Sequence, residues 1–138
     1  MSTMRVVRVA TGQGPVAEVP FALDTLRRVR AVVRDVAEAA GLARRRADEL
    51  MVVVNELAAN SVDHGGGRGT VRAWVEHGAV VVEVSDAGRL ADPGGAGRTV
   101  PRLDQDRGRG LWIARRLADS LEIRSTADGT VARVVVRR

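Results

Sequence analysis

The chain has 138 residues, 22 of them basic and 17 acidic, for a formal net charge of +5. Every basic residue is Arg, and residues 1–69 carry ten Arg and eight acids against twelve and nine in residues 70–138. An excess spread so evenly, with no tail or stripe, excludes the footprint of a nucleic-acid binder. Phe21, Trp74 and Trp112 are the only aromatics, too few for a base-stacking platform. The absence of Cys excludes disulfide scaffolds, thiolate metal sites and thiol nucleophiles. With 45% hydrophobic residues, the length suits one domain, 1–138, that buries roughly two-thirds of its unfolded surface. No apolar run approaches the ~18 residues of a membrane span and no signal-peptide core opens the chain, so a cytoplasmic protein without membrane contact is expected.

Met4 to Ala10 alternates loosely and predicts a strand, broken by Gly12, Gly14 and Pro15. From Pro20, Leu23, Leu26, Val29, Val33 and Val36 recur at three and four, which predicts an amphipathic helix ending near Gly41. A second helix runs from about Arg44 to His64, its apolar face Leu50, Val53, Val54, Leu57, Ala58 and Ser61, closed by Gly65-Gly66-Gly67. Thr70–Glu76 and Ala79–Asp86 alternate and join at His77-Gly78, a hairpin over one buried face. Residues 87–107 are rich in Gly and Pro and show no periodicity; a gap of that length in a compact domain reads as a lid. A third helix follows from Gly108 through Leu111, Ala114, Leu117 and Ala118, then a last hairpin, Leu121–Thr126 and Thr130–Arg137, around Asp128-Gly129. The order β α α β β lid α β β predicts an α+β, two-layer sandwich with helices on one face of a mixed, mostly antiparallel sheet.

Four short patterns carry chemistry. Glu56, Asn60 and His64 stand at i, i+4 and i+8 of the second helix and share a stripe beside its apolar seam. A carboxylate there can act as a general base, and an amide oxygen suits Mg²⁺. Taken alone, Glu56 is more simply a solvated helix edge. Asp86, ending an apolar strand and followed by Gly88, can accept a hydrogen bond from an exocyclic amine; alone it is a common strand-end turn. Gly108-Arg109-Gly110-Leu111 offers free N–H groups at a helix N-terminus to phosphate, with Arg107 and Arg109 adding charge; alone it is a flexible entry into a helix. Gly129-Thr130 reads as a turn followed by a β-branched strand residue.

Their order, Glu-x-x-x-Asn, then Asp-x-Gly, then Gly-x-Gly, then Gly-Thr, resembles the ATP-binding domain shared by gyrases, heat-shock chaperones, histidine kinases and mismatch-repair proteins, the Bergerat (GHKL) fold. The segment Val54-Asn55-Glu56-Leu57-Ala58-Ala59-Asn60-Ser61-Val62-Asp63-His64-Gly65 looks most like the anti-sigma factor serine/threonine kinases, and the resemblance runs from about Val16 to Val136. It implies a protein kinase that uses ATP and Mg²⁺, phosphorylates a STAS-type anti-anti-sigma partner, sequesters a sigma factor, and forms a homodimer through a strand edge of its sheet. Glu56 would be the general base, Asn60 the Mg²⁺ ligand, Asp86 the acceptor of the adenine amine with Thr130 beside it, and residues 89–107 the ATP lid. His64, Gly88, Arg107, Gly108, Arg109, Gly110 and Leu111 complete the implied nucleotide contacts. The family often carries a further Gly where this chain has Leu90, and its partner-contacting arginine is not assignable among Arg27, Arg28, Arg30 and Arg34. A non-catalytic, ATP-gated binding module is the alternative. A two-component histidine kinase fits less well, because His64 and His77 are the only histidines and neither lies on a separate dimerising hairpin.

Overall fold

The computed structural model describes residues 15–88, 95 and 109–138, together with the backbone of 5–7. Six strands form one sheet: β1 (Arg5–Val7), β2 (Val16–Ala22), β3 (Arg68–Glu76), β4 (Ala79–Asp86), β5 (Ser120–Thr126) and β6 (Gly129–Arg137). Three helices join them, α1 (Leu26–Ala39), α2 (Arg44–His64) and α3 (Arg109–Leu117). The strand order is β1-β2-β3-β4-β6-β5. Each pairing between described strands is antiparallel, so the expected mixed sheet shows no parallel pair among these residues.

Period-two alternation decides what the sheet buries. Val71, Ala73, Val80, Val82, Val84, Ala132, Val134 and Val136 face the helices, with Val29, Val33, Leu50, Val53, Val54 and Leu57 opposite them. The register Val71↔Val84, Ala73↔Val82, Val75↔Val80 keeps this apolar set on one side. Leu50, Val53 and Val54 are fully buried, each side chain contributing about 2 kcal/mol of transfer free energy. α1 packs on β2, β3 and β4, α2 on β3, β4 and β6, and α3 on β5, so the helices occupy one face as expected. The β3–β4 turn takes His77 at φ 49° and Gly78 at φ 75°, the left-handed pair that a two-residue hairpin requires.

Two expectations are corrected. Val16–Ala22 is a strand rather than a breaker followed by a helix. Its seven residues include Pro20, which lacks a ladder donor and masks the alternation of Ala17, Val19 and Phe21. The described pairing with β1 ends at Glu18, so Pro20 forfeits no bond there. The first helix accordingly starts at Leu26, after a 3₁₀ turn over Leu23–Thr25. The Thr25 hydroxyl oxygen accepts the Ala22 N–H at 2.8 Å and closes that turn. Leu23, assigned by periodicity to the apolar face, is 71% exposed because it precedes the helix. The other end of α1 stops as Gly41 predicts: with Gly41 at φ 73°, Leu42 N–H reaches the Ala37 carbonyl at 3.1 Å and Gly41 N–H that of Glu38 at 3.0 Å.

Residues 89–94 and 96–108 fall outside the described residues, and with them most of the expected lid, Arg107 and Gly108; the side chain of Arg109 does too.

Candidate functional site

Four chain segments meet at the end of the sheet where β4 finishes. Strand β4 delivers Asp86 beside the C-terminal turn of α2. One carboxylate oxygen of Asp86 accepts the Ser61 hydroxyl at 2.6 Å, and the other accepts the Gly88 N–H at 2.8 Å. Ser61 is 2% exposed and was read from the sequence as one more position on an apolar seam. The signal that could have flagged it is a hydroxyl-bearing residue directly after Asn60 on a helix face otherwise made of Val, Leu and Ala.

Glycines set how closely these segments approach. At Gly65 a Cβ would overlap the Asp86 carboxyl group. At Gly88 it would lie 2.7 Å from Gly65 Cα and 2.9 Å from the His64 carbonyl oxygen. The end of α2 and the Asp86–Gly88 turn therefore sit backbone against backbone. Thr130 pairs with Asp86 in the β4–β6 register. Its hydroxyl donates to the Gly88 carbonyl at 2.8 Å and lies 2.9 Å from the Ser125 hydroxyl. Thr130 thus anchors the turn that carries Gly88, and it is 9% exposed.

Farther along α2, Glu56 and Asn60 are half-buried and one helical turn apart. The first turn of α3 meets Glu56: a Cβ on Gly110 would overlap Glu56 Oε2 and lie 3.3 Å from its Cδ. Leu111 is buried in the main core and fixes α3 in that position. Neither the Glu56 carboxylate nor the Asn60 carboxamide has a hydrogen-bond or ion-pair partner among the described residues. A carboxylate and an amide oxygen left unpaired at a glycine-lined helix entry are a base and a hard-oxygen donor available to a ligand.

The structure thus brings together Glu56, Asn60, Asp86, Gly88, Gly110, Leu111 and Thr130. His64 lies on the same stripe but is exposed at the helix end. On α1, Arg30 donates to Asn55 at 3.2 Å, next to Glu56 in sequence, and Arg34 pairs with Asp48 at 3.6 Å.

A two-layer α+β sandwich whose helix, strand-end turn and second helix N-terminus converge in this way is the architecture of a nucleotide-binding ATPase domain. Residues 19–136 match the family described as the histidine kinase-like ATPase domain, and the chain belongs to it. No curated protein matches. Among solved structures, the RsbU and RsbW domains of Rv1364c from Mycobacterium tuberculosis align with a TM-score of 0.63 and 22% identity, over 87% of this chain and 32% of that one. This chain therefore spans about a third of the chain in that structure. The SiaB-SiaC complex from Pseudomonas aeruginosa aligns at 0.66 and 14%, over 91% and 90%. The blue-light activated histidine kinase EL346 from Erythrobacter litoralis aligns at 0.56 and 17%, over 86% and 42%. At these identities the likeness concerns the fold. No helix among the described residues is long and apolar enough to cross a membrane.

Proposed function

We propose that this chain is an ATP- and Mg²⁺-dependent serine/threonine protein kinase of the anti-sigma type, acting in the cytoplasm as a homodimer on a STAS-type anti-anti-sigma partner and sequestering a sigma factor. The observation that carries the reading is the Glu56 carboxylate against the first turn of α3, with Asn60 one turn along α2, both unpaired among the described residues, on the same helix whose Ser61 fixes the Asp86 carboxylate. The likeness of the fold to a protein titled as carrying an RsbW domain and to the SiaB-SiaC complex supports the same direction.

In this reading Asp86 accepts the exocyclic amine of adenine, since its Ser61 and Gly88 donors orient both oxygens and leave lone pairs free. Asn60 fits Mg²⁺: its carbonyl is a hard neutral donor, and no group of three or more His, Asp or Glu side chains among the described residues offers an alternative. When bound, the ion neutralises phosphate charge. The free N–H groups opening α3 face the phosphates, where Gly110 lets the backbone approach. Glu56 takes the proton of the partner's serine hydroxyl as its oxygen bonds to the γ-phosphorus and the bond from that phosphorus to ADP breaks. The chain's contribution is positioning and charge, as phosphoryl transfer requires. The lid role of residues 89–107, and the phosphate contacts of Arg107, Gly108 and Arg109, belong to the proposal.

Glu56→Gln tests it, with transfer from labelled ATP to the partner as readout. Transfer falls at least ~100-fold while nucleotide affinity stays within about threefold, because the amide keeps the shape and loses the base. Undiminished transfer removes Glu56 from that role. Nucleotide binding without any transfer by the unmodified protein favours the ATP-gated binding module.

A further inference from the structure

Helix α2 turns a ridge to solvent between its two flanking helices. On one side Asn55 accepts Arg30 of α1 at 3.2 Å, and Asp48 pairs with Arg34 at 3.6 Å. On the other, Glu56 meets Gly110 of α3, and Arg46 donates to the Leu117 carbonyl at 3.2 Å. Val52 stands on the ridge between them, two residues and so about 160° round from the fully buried Leu50 and Val54. It is 42% exposed. The other large apolar side chains this open among the described residues are Leu23, in the turn before α1, and Val131, which alternates with Thr130 and Ala132 onto the helix-free face.

Singly exposed apolar residues are ordinary on a surface. The position of Val52 is not. It precedes Glu56 by four residues and Asn60 by eight, so it extends the stripe of the proposed base and Mg²⁺ ligand by one turn. Its helix neighbours at three and four residues are Asp48, Glu49, Asn55 and Glu56, all polar, so the apolar spot has the size of one side chain. A membrane surface needs a continuous apolar helix face and a stable oligomer needs a larger patch; this ridge has neither. Half-buried Ala59, on the far side of Glu56, keeps the ridge low past the carboxylate.

We propose that Val52 seats an apolar side chain of the acceptor segment, and so selects serines that have such a residue two positions away. The proposal rests on the kinase reading, with Glu56 as the base. An acceptor hydroxyl placed at Glu56 brings its neighbours over the same ridge. Four helical residues span about 6 Å along the axis. In an extended segment, side chains on one side recur every two residues, about 6.6 Å apart. The residue two from the serine therefore falls on Val52, and withdrawing the exposed methyl groups from water favours an apolar group there. Val52 touches neither nucleotide nor reacting atoms. It is a specificity contact, made alike in ground and transition states, and its effect falls on KM more than on kcat.

Labelled-ATP transfer to short synthetic peptides tests it, each with one Ser in a Gly-Ala background and Leu, Gly or Lys two residues before or after it. The intact protein prefers Leu to Gly roughly 10-fold in kcat/KM at one of those two positions, the low end for an apolar contact because the seat is open. Val52→Thr keeps the shape and replaces a methyl by a hydroxyl; it lowers that preference below about threefold, through KM. Val52→Asp turns the preference from Leu to Lys. Each preference is a ratio within one protein, so any loss of folded molecules cancels, and a merely structural role for Val52 changes all peptides alike. No preference at either position, a preference that both variants leave in place, or no transfer to any peptide overturns the proposal. The two readings fail separately. Equal transfer to every peptide removes only the seat, and an undiminished rate and Leu preference in Glu56→Gln removes only the base. A protein that binds ADP and labels none of the peptides loses the seat, while its labelling of a partner protein keeps the kinase reading.

Discussion

Ser61→Ala is the most informative single change at the site, because it removes one hydroxyl and leaves every proposed ligand contact in place. The hydroxyl donates to Asp86 at 2.6 Å from a position 2% exposed. A hydrogen bond to a charged acceptor contributes about 1.5–3 kcal/mol when the acceptor stays dry after its loss. Asp86 is only half-buried and keeps the Gly88 N–H at 2.8 Å, so the lower part of that range applies. A carboxylate freed on one side also turns away from the orientation an exocyclic amine needs. Together these place the loss at about 1.5 kcal/mol, or roughly 10-fold in nucleotide affinity. Titration calorimetry with ADP measures it, and repeating the titration with purine riboside diphosphate, which lacks the amine, isolates the cause. ADP binding weakens and analogue binding does not. Equal weakening of both, or no change in either, refutes the argument that Ser61 acts through Asp86 on the base.

Gly110→Ala separates folding from chemistry. The added methyl displaces only the far end of Glu56, and a helical Ala gains about 0.5–1 kcal/mol over Gly, so thermal unfolding holds or rises. The displaced carboxylate loses its geometry, and phosphate transfer drops on the order of 10–100-fold. Arg46→Ala does the reverse. Arg46 holds Glu49 and Asp119 at 2.6 Å each and the carbonyls of Leu117 and Arg137 at 3.2 and 3.3 Å, tying α2 to α3 and β6. Its removal costs about 2 kcal/mol and lowers the melting temperature by roughly 4–8 °C in calorimetry, with nucleotide affinity at the intact temperature little changed.

Much of this fold is legible from local pattern. The period-3.6 seam of α2 and the period-two runs of β3, β4, β5 and β6 set an apolar face against the other layer, so burial writes itself into the residue order, although Trp74 and Val81 are buried on the opposite face too. The glycine after α1 and the His77-Gly78 turn mark their ends because only particular residues tolerate positive φ. Strand β2 was not legible, since Pro20 interrupts the alternation of Ala17, Val19 and Phe21. Neither was the start of α1, where Leu23 happened to fall in phase with the helix beyond it.

The candidate site divides the same way. Glu56, Asn60, Asp86, Gly88, Gly110 and Thr130 were nominated by the order of their motifs and the family that this order resembles; each pattern alone reads as ordinary helix edge, turn or strand, although a helix does place i and i+4 together. What holds them was decided only in three dimensions. The hydrogen bond from Ser61 to Asp86 spans 25 residues and that from Thr130 to Gly88 spans 42, separations at which no local periodicity exists. The same is true of charge. The sequence by itself determined an even, all-Arg excess of +5 and so argued against nucleic acid. Only the strand register set those arginines opposite glutamates in an alternating row, because cross-strand neighbours are chosen by hydrogen-bond pairing and not by distance along the chain.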